Sequence, residues 1–239
     1  MSLVIVIPAY NAGRHIEGVL TRIAAIDECG LQRVLVVNDG STDDTLERVS
    51  RTRFERCELT VIDRPKNGGY GAALKDGLRA AISRNPDRVA CVHADGQYSP
   101  EVLPKLCAEL AARNLDLLQG SRIASGTALS GGMPFYKYAG NAALNLLENH
   151  TLRLSMSDYH SGYLLYGRRA LALPFEQLSN SFDFDLELIA SACAHGLSVG
   201  EAPIPTHYGD EVSHLNPLTY GLRVLRVMWN YRRGRYAAA

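Results

Sequence analysis

The sequence predicts an α/β fold with a mixed, mostly parallel central sheet and helices on both faces. Two observations predict it. Apolar, β-branched runs recur at residues 4–7, 34–37 and 59–62, with a weaker run at 89–92. They are continuous rather than alternating, the pattern of strands buried on both faces. Between them lie segments of helical periodicity, and strand–helix alternation yields a parallel sheet covered on two sides.

Taken in order, Val4-Ile5-Val6-Ile7 is the first strand, and Pro8 closes it. Ile16, Val19, Leu20 and Ile23 then recur at the spacing of one helix face. After the second strand, Ser41-Thr42-Asp43-Asp44 forms an N-cap cluster for a helix over 45–51. The third strand leads to an Ala/Leu-rich helix over 72–82, whose sole breaker is Gly77. After the fourth strand, Ser99 precedes Pro100 at the first position of a helix over 100–112, where the missing N–H costs nothing. A further strand is expected at 115–118. The region 120–215 is less regular; Gly, Ser, His and Tyr dominate 120–134 and 157–166, as in segments that line a site. The expected organisation is one domain over 1–215, with halves 1–118 and 119–215, followed by a basic amphipathic helix or tail over 216–239.

Composition narrows the function classes. With 239 residues, 46% of them hydrophobic, the chain can bury a sizeable core. Lys plus Arg and Asp plus Glu both number 25, so the basic excess of a nucleic-acid binder is missing. No apolar run approaches the ~20 residues of a membrane span, and no basic segment of a signal peptide follows Met1. The five cysteines form no C-x-x-C pair, which fits a reducing cytoplasm. The C-terminal segment carries Arg223, Arg226, Arg232, Arg233 and Arg235 among Leu222, Val224, Leu225, Val227, Met228 and Trp229. It reads either as a helix docked on the domain with a solvated basic end, or as one making peripheral contact with an anionic membrane. Homodimerisation through this tail is a further expectation.

In parallel sheets, ligands bind beyond the carboxyl ends of the strands. Three successive strand ends here carry polar chemistry: Tyr10-Asn11, Asn38-Asp39-Gly40-Ser41 and Asp95. A diphosphate needs its charge absorbed by a metal or arginines. A carboxylate after one strand can hold the metal, and one after another can meet a base or ribose. Asp95 and Asp39 stand where those two tasks fall.

These motifs, in order, resemble the inverting family-2 glycosyltransferases of GT-A fold. The likeness is carried by Val6-Ile7-Pro8-Ala9-Tyr10-Asn11, by 37–45 (VNDGSTDDT), by Asn67-Gly68-Gly69-Tyr70-Gly71-Ala72-Ala73, and by His93-Ala94-Asp95-Gly96-Gln97. Gly120-Ser121-Arg122, Ser161-Gly162-Tyr163 and 182–201 continue it, so that it spans about residues 3–215. Within the family the chain is most similar to the polyprenyl-phosphate sugar transferases, such as the dolichol-phosphate mannose synthases. The resemblance makes 1–118 the nucleotide-sugar half and 119–215 the acceptor half. It implies a UDP- or GDP-sugar donor, a divalent cation (Mn²⁺ or Mg²⁺), and an acceptor that is a lipid phosphate or a glycan or small-molecule hydroxyl.

By position, the resemblance places the donor nucleotide on Pro8, Tyr10, Asp39, Gly68, Gly71 and Ala94. It gives the metal to Asp95, with Gln97 and His93 as further ligands. It makes Asp95, Arg122 and Asp158 catalytic: Asp95 through the metal, Arg122 at a phosphate, and Asp158 as the first candidate general base for a hydroxyl acceptor. Asp185 and Glu187 are the second choice for that base, and His160 the third. The chain also departs from the family. His93 stands where Asp-x-Asp has its first acid, and histidine suits Mn²⁺ better than Mg²⁺. Ala12 replaces an acid, while Leu164 and the loop over 208–214 replace an arginine and a basic loop, which removes cations that would grip an acceptor phosphate. His207 and His214 are candidate loop ligands, and Lys137 a candidate phosphate contact. These losses leave room for a catalytically weak nucleotide-sugar binder on the same fold. A nucleotidyltransferase fits less well, because Pro8-Ala9-Tyr10-Asn11 is not its Gly-rich basic loop.

Overall fold

A computed structural model describes the chain except residues 27–28, 127, 130–131, 206–216 and 238–239. Its strands are β1 (Leu3–Ala9), β2 (Leu31–Asn38), β3 (Glu58–Asp63), β4 (Arg88–Cys91), β5 (Leu117–Ser121), β6 (Leu164–Gly167) and β7 (Val199–Pro203). Its helices are α1 (Gly13–Ala24), α2 (Thr45–Arg51), α3 (Tyr70–Ile82), α4 (Leu103–Ala112), α5 (Phe135–Leu152), α6 (Arg168–Leu171), α7 (Phe184–Ala194) and α8 (Pro217–Arg232). The strands form one sheet in the order β3-β2-β1-β4-β6-β5-β7. Only β6 runs against the rest, pairing antiparallel with β4 and β5. The predicted α/β architecture is therefore the observed one.

The two faces follow from the period-2 alternation of β1. Leu3, Ile5 and Ile7 pack with Ile16, Val19, Leu20 and Ile23 of α1 and with Leu103, Leu106 and Leu110 of α4. Val4 and Val6 face the other way, onto Leu74 and Leu78 of α3 and a cluster that includes Phe184, Leu188 and Val224. Gly77 is no weak point in α3. A Cβ there would collide with Val6, so glycine lets the helix lie close on β1.

Three local expectations need correction. The run 59–62 is not buried on both faces, because β3 is an edge strand with partly exposed side chains. The helix expected over 100–112 begins as a 3-10 turn over Pro100–Val102, and α4 starts at Leu103. An α-helix from Pro100 would need an N–H at residue 104, and Pro104 has none. The cap of α2 differs too. Asp44 stands at the cap position without a side-chain bond, while Asp43 accepts from the Thr45 N–H at 3.0 Å and from the Gly13 N–H at 2.9 Å. One carboxylate thus fastens the starts of α1 and α2 together.

The C-terminal helix belongs to the domain core. Val224, Val227 and Met228 are buried among α7 and α5 side chains, each worth roughly 1.5–3 kcal/mol relative to exposure. No described helix is long and apolar enough to cross a membrane.

Candidate functional site

The topology creates the site before any side chain is considered. From β1 the chain moves outward through β2 to β3, then returns to place β4 on the other flank of β1. The loops after β1 and β4 therefore diverge and leave a crevice beyond the carboxyl ends of the strands.

One wall is built from the loops after β1 and β2. Asn11 takes a left-handed conformation (φ 49°). Its N–H donates to Ser41 Oγ at 3.0 Å, and its side-chain oxygen accepts the Thr42 N–H at 2.9 Å. The Ala12 N–H donates to Thr45 Oγ1 at 2.8 Å. Tyr10 is left half-exposed at the rim. The 37–45 motif thus serves first as the frame that holds the loop after β1.

Asp39 is 3% exposed, and its carboxylate is fully engaged. It accepts the N–H groups of Gly68 and Gly69 at 2.9 Å each and forms an ion pair with Arg64. Arg64 in turn holds Asp76 at 2.9 Å. Asp39 therefore organises the Gly68–Gly69 turn. The glycines are packed closely against protein atoms. A Cβ at Gly68 would lie 2.5 Å from the Arg64 guanidinium, one at Gly69 2.5 Å from the Asn180 carbonyl, and one at Gly71 would strike Ser179. Protein atoms of the 179–180 segment occupy that space. Gly69 also has φ 95°, which side chains rarely adopt. Lys75, buried in α3, donates to the Leu178 carbonyl and, at 2.8 Å, to Asn180 Oδ1, which fixes the same segment.

Across the crevice, Ala94 is buried, and Asp95 and Gln97 are half-buried on the turn after β4, where Gly96 has φ 75°. Asp95 Oδ1 accepts the Gln97 N–H at 2.9 Å, so the carboxylate is pre-oriented and its other oxygen has no hydrogen bond among the described residues. His93 is held differently. Its Nε2 lies 3.1 Å from the Gly162 carbonyl, and its ring contacts Tyr70 and Tyr98 at centroid distances of 5.7 and 5.2 Å. That contact ties the second half of the chain to the first and removes Nε2 from any ligand set; Nδ1 alone remains. No cluster of three His, Cys, Asp or Glu suited to a metal occurs among the described residues. A hard divalent cation held by one carboxylate, an amide oxygen and phosphate oxygens needs no such cluster. Asp95 and Gln97 suit that arrangement.

Arg122 and Asp158 come together as a buried bidentate pair. Arg122 Nε and Nη2 donate to the carboxylate at 2.7 and 2.8 Å, and the backbone N–H of Arg122 adds a third bond at 3.1 Å. The His160 N–H also donates to Asp158, at 3.0 Å. Burial pushes the Asp158 carboxyl up, but the Arg122 charge and hydrogen bonds outweigh it and hold it below its ordinary value. A carboxylate so engaged is poorly disposed to take a proton.

Asp185 presents the opposite environment. It starts α7, is 5% exposed, and accepts one hydrogen bond, from Tyr70 at 2.8 Å on Oδ2. Its Oδ1 has no partner among the described residues. Burial raises its carboxyl to about 7, against a smaller lowering by Tyr70. Phe182 stacks on Tyr70 at 5.9 Å and is half-exposed. Glu187 is set apart from this chemistry. It accepts the Ser179 N–H at 2.5 Å and the Tyr236 hydroxyl at 2.8 Å.

Some of these partnerships escape sequence reasoning. Arg64 directly follows the carboxyl end of β3, where no polar group was singled out. Glu148, fully buried on α5, lies 3.3 Å from His160 Nε2, and His160 Nδ1 lies 3.0 Å from the Tyr220 hydroxyl of α8. No sequence pattern links residues so far apart. His207, His214 and the 208–214 loop lie outside the described residues, as does the Lys137 side chain. A separate cavity of about 380 Å³, lined by Ile26, Phe54 and Cys57, opens at the amino ends of β2 and β3 and takes no part in the crevice.

Comparisons with known proteins agree with this geometry. Residues 4–173 match the family model for glycosyl transferase family 2. The chain is 26% identical to a UDP-N-acetylglucosamine–dolichyl-phosphate N-acetylglucosaminyltransferase of Methanococcus voltae, with 85% of each chain covered. It is 29% identical to an undecaprenyl-phosphate mannosyltransferase of Micrococcus luteus, covering 85% of this chain and 83% of that one. In fold it superposes on glucosyl-3-phosphoglycerate synthase of Mycobacterium tuberculosis, solved with Mn²⁺ and UDP, with a TM-score of 0.70 at 18% identity, over 96% of this chain and 79% of that one. With the family match extending from β1 through β6, the protein belongs to glycosyl transferase family 2 and is a glycosyltransferase of GT-A fold.

Proposed function

We propose that the chain transfers a hexosyl unit from a UDP- or GDP-sugar to a polyprenyl phosphate, with inversion and with a divalent cation on the diphosphate. The observation that carries the acceptor is the likeness, over 85% of this chain, to two enzymes named for polyprenyl-phosphate acceptors. The donor would lie in the crevice between the loops after β1 and β4. Asp95 would hold the metal, with Gln97 beside it; when bound, the metal neutralises charge on the diphosphate as the nucleotide leaves. Arg122, locked on Asp158, would present a fixed positive charge rather than a mobile one.

A phosphate acceptor is already ionised and needs no base. Asp185 supports a second reading, because a buried carboxyl raised to about 7 with one unpaired oxygen is matched to removing a proton near neutral pH. In that reading the acceptor is a hydroxyl and Asp185 replaces Asp158 as the base.

The test is turnover with purified protein, Mn²⁺ or Mg²⁺, and each common UDP- and GDP-sugar, offering a detergent-dispersed polyprenyl phosphate and, separately, hydroxyl acceptors. An acid-labile glycosyl phosphate product of inverted anomeric configuration supports the first reading. A glycoside from a hydroxyl acceptor moves the assignment to the second. Nucleotide binding without turnover on any acceptor would replace both with a sugar-nucleotide binder.

A further inference from the structure

The described residues include ten exposed large apolar side chains, and six of them sit on just two helices that pack against each other, α5 and α8. On α8, Leu222, Leu225 and Trp229 follow the i, i+3, i+7 spacing of one outward face, while Val224, Val227 and Met228 fill the core on the other. Leu222 is 67% exposed and Trp229 61%. The core therefore leaves part of this helix's apolar surface uncovered.

The same outward face is cationic. Arg226, Arg232, Arg233 and Arg235 are all exposed, and no acid occurs from residue 217 to the end of the chain. The Arg233 guanidinium lies 5.8 Å from the Trp229 ring. Arg223 differs, being committed to Asp183 at 2.9 Å. On α5, Phe135, Tyr136 and Leu146 are 65–74% exposed, and the helix's one acid, Glu148, points inward at 0% exposure.

We infer that the outward faces of α5 and α8 form a docking surface for an anionic phospholipid bilayer. Two chemistries occur together, and one occupant satisfies both. Leucine, phenylalanine and tryptophan side chains seat at the boundary of headgroups and acyl chains, and the arginines reach the lipid phosphates. A second copy of this chain fits less well, because a two-fold interface through this face would bring two basic surfaces together. The surface lies on the membrane rather than spanning it, since no described helix is long and apolar enough to cross.

The surface adjoins the site. Tyr220, on the first turn of α8, contacts His160, and Arg223 holds Asp183 beside Phe182. A bilayer seated on this face would present its lipids to the acceptor side of the crevice. The inference goes beyond the choice of acceptor, since an enzyme acting on a soluble hydroxyl can carry the same surface.

Trp229 is the chain's only tryptophan and therefore reports directly on this face. The full chain is mixed with vesicles of phosphatidylglycerol and phosphatidylcholine in equal parts, or of phosphatidylcholine alone. Co-sedimentation with the anionic vesicles is expected, with a blue shift of Trp229 emission that salt reverses. Replacing Arg226→Gln and Arg233→Gln together lowers partitioning about thirtyfold, taking roughly tenfold per 1.4 kcal/mol and the usual contribution of a basic residue near an anionic surface. Leu222→Gln with Leu225→Gln weakens it as well, with an unchanged far-ultraviolet spectrum. Protein left in the supernatant with unshifted emission overturns the inference. So does a blue shift that grows with protein concentration without vesicles, which would mark a second copy as the occupant. Turnover on detergent-dispersed acceptor, measured without vesicles, tests the enzymatic proposal separately, so either can fail alone.

Discussion

Tyr70 donates its phenolic hydrogen to Asp185 at 2.8 Å, joining the first turn of α3 to the first turn of α7. The bond spans 115 residues of sequence and ties the first half of the chain to the second. It is the only hydrogen bond that the Asp185 carboxylate makes among the described residues.

Asp185 should make stability fall as pH rises. Its carboxyl is raised from 3.8 to about 7 by burial, so between about pH 4 and pH 7 the folded chain holds a proton that the unfolded chain has released. Folding is then favoured at the acid end of that window and loses up to about 4 kcal/mol by its upper end. Asp185→Asn should raise the Tm at pH 8 by several degrees and change it little at pH 4.5. Thermal unfolding of both proteins at the two pH values checks this; an equal shift at both would show that Asp185 is ionised throughout. If Asp185 is the base, the same variant also abolishes turnover with hydroxyl acceptors.

The Arg122–Asp158 pair should behave as a unit. Asp158→Asn leaves a buried guanidinium without its charge partner, which costs about 3–5 kcal/mol. Arg122→Met with Asp158→Leu should recover much of that, because both desolvated charges are removed. Urea unfolding of the single and double variants measures the coupling. Strictly additive losses would mean that the two residues act independently.

Asp95→Asn tests the metal anchor without disturbing the fold. Calorimetry with the preferred nucleotide should show at least a tenfold loss of affinity in Mn²⁺ and no difference between variant and parent in chelator. Equal binding in Mn²⁺ would move the metal away from Asp95.

Gly69→Ala forces a Cβ into a φ of 95° and to within 2.5 Å of the Asn180 carbonyl. We expect a loss of ~2 kcal/mol or more, seen as a lower urea midpoint, together with weaker nucleotide binding. A variant as stable as the parent would show that the 179–180 segment yields freely.

Much of this was legible in the sequence, because local signals and tertiary demands coincided. Four strand runs, the helices between them and the polar groups at three strand ends all follow from periodicity and from the geometry of parallel sheets. Pro104 shows where such signals compete: the capping sequence at Ser99-Pro100 is sound, yet a second proline delays the helix by three residues. The edge position of β3 was hidden because strand order is not written in a single run. The roles of Asp39 and Asp158 illustrate a deeper limit. Their motifs announce carboxylates in a site, but what each carboxylate does is set by Arg64 and Arg122, whose approach is fixed only when the chain folds.

β6 has a consequence for how the protein is made. It is the strand that covers β4, and it arrives some 70 residues later in the chain, after α4, β5 and α5. Until residues 164–167 leave the ribosome, the edge of β4 is open, and Val89 and Ala90 display unpaired backbone groups. Open edges of this kind recruit other strands. The nascent chain therefore passes through a long interval in which its first half is built but unsealed, and a chain truncated near residue 118 should aggregate rather than persist as an independent unit.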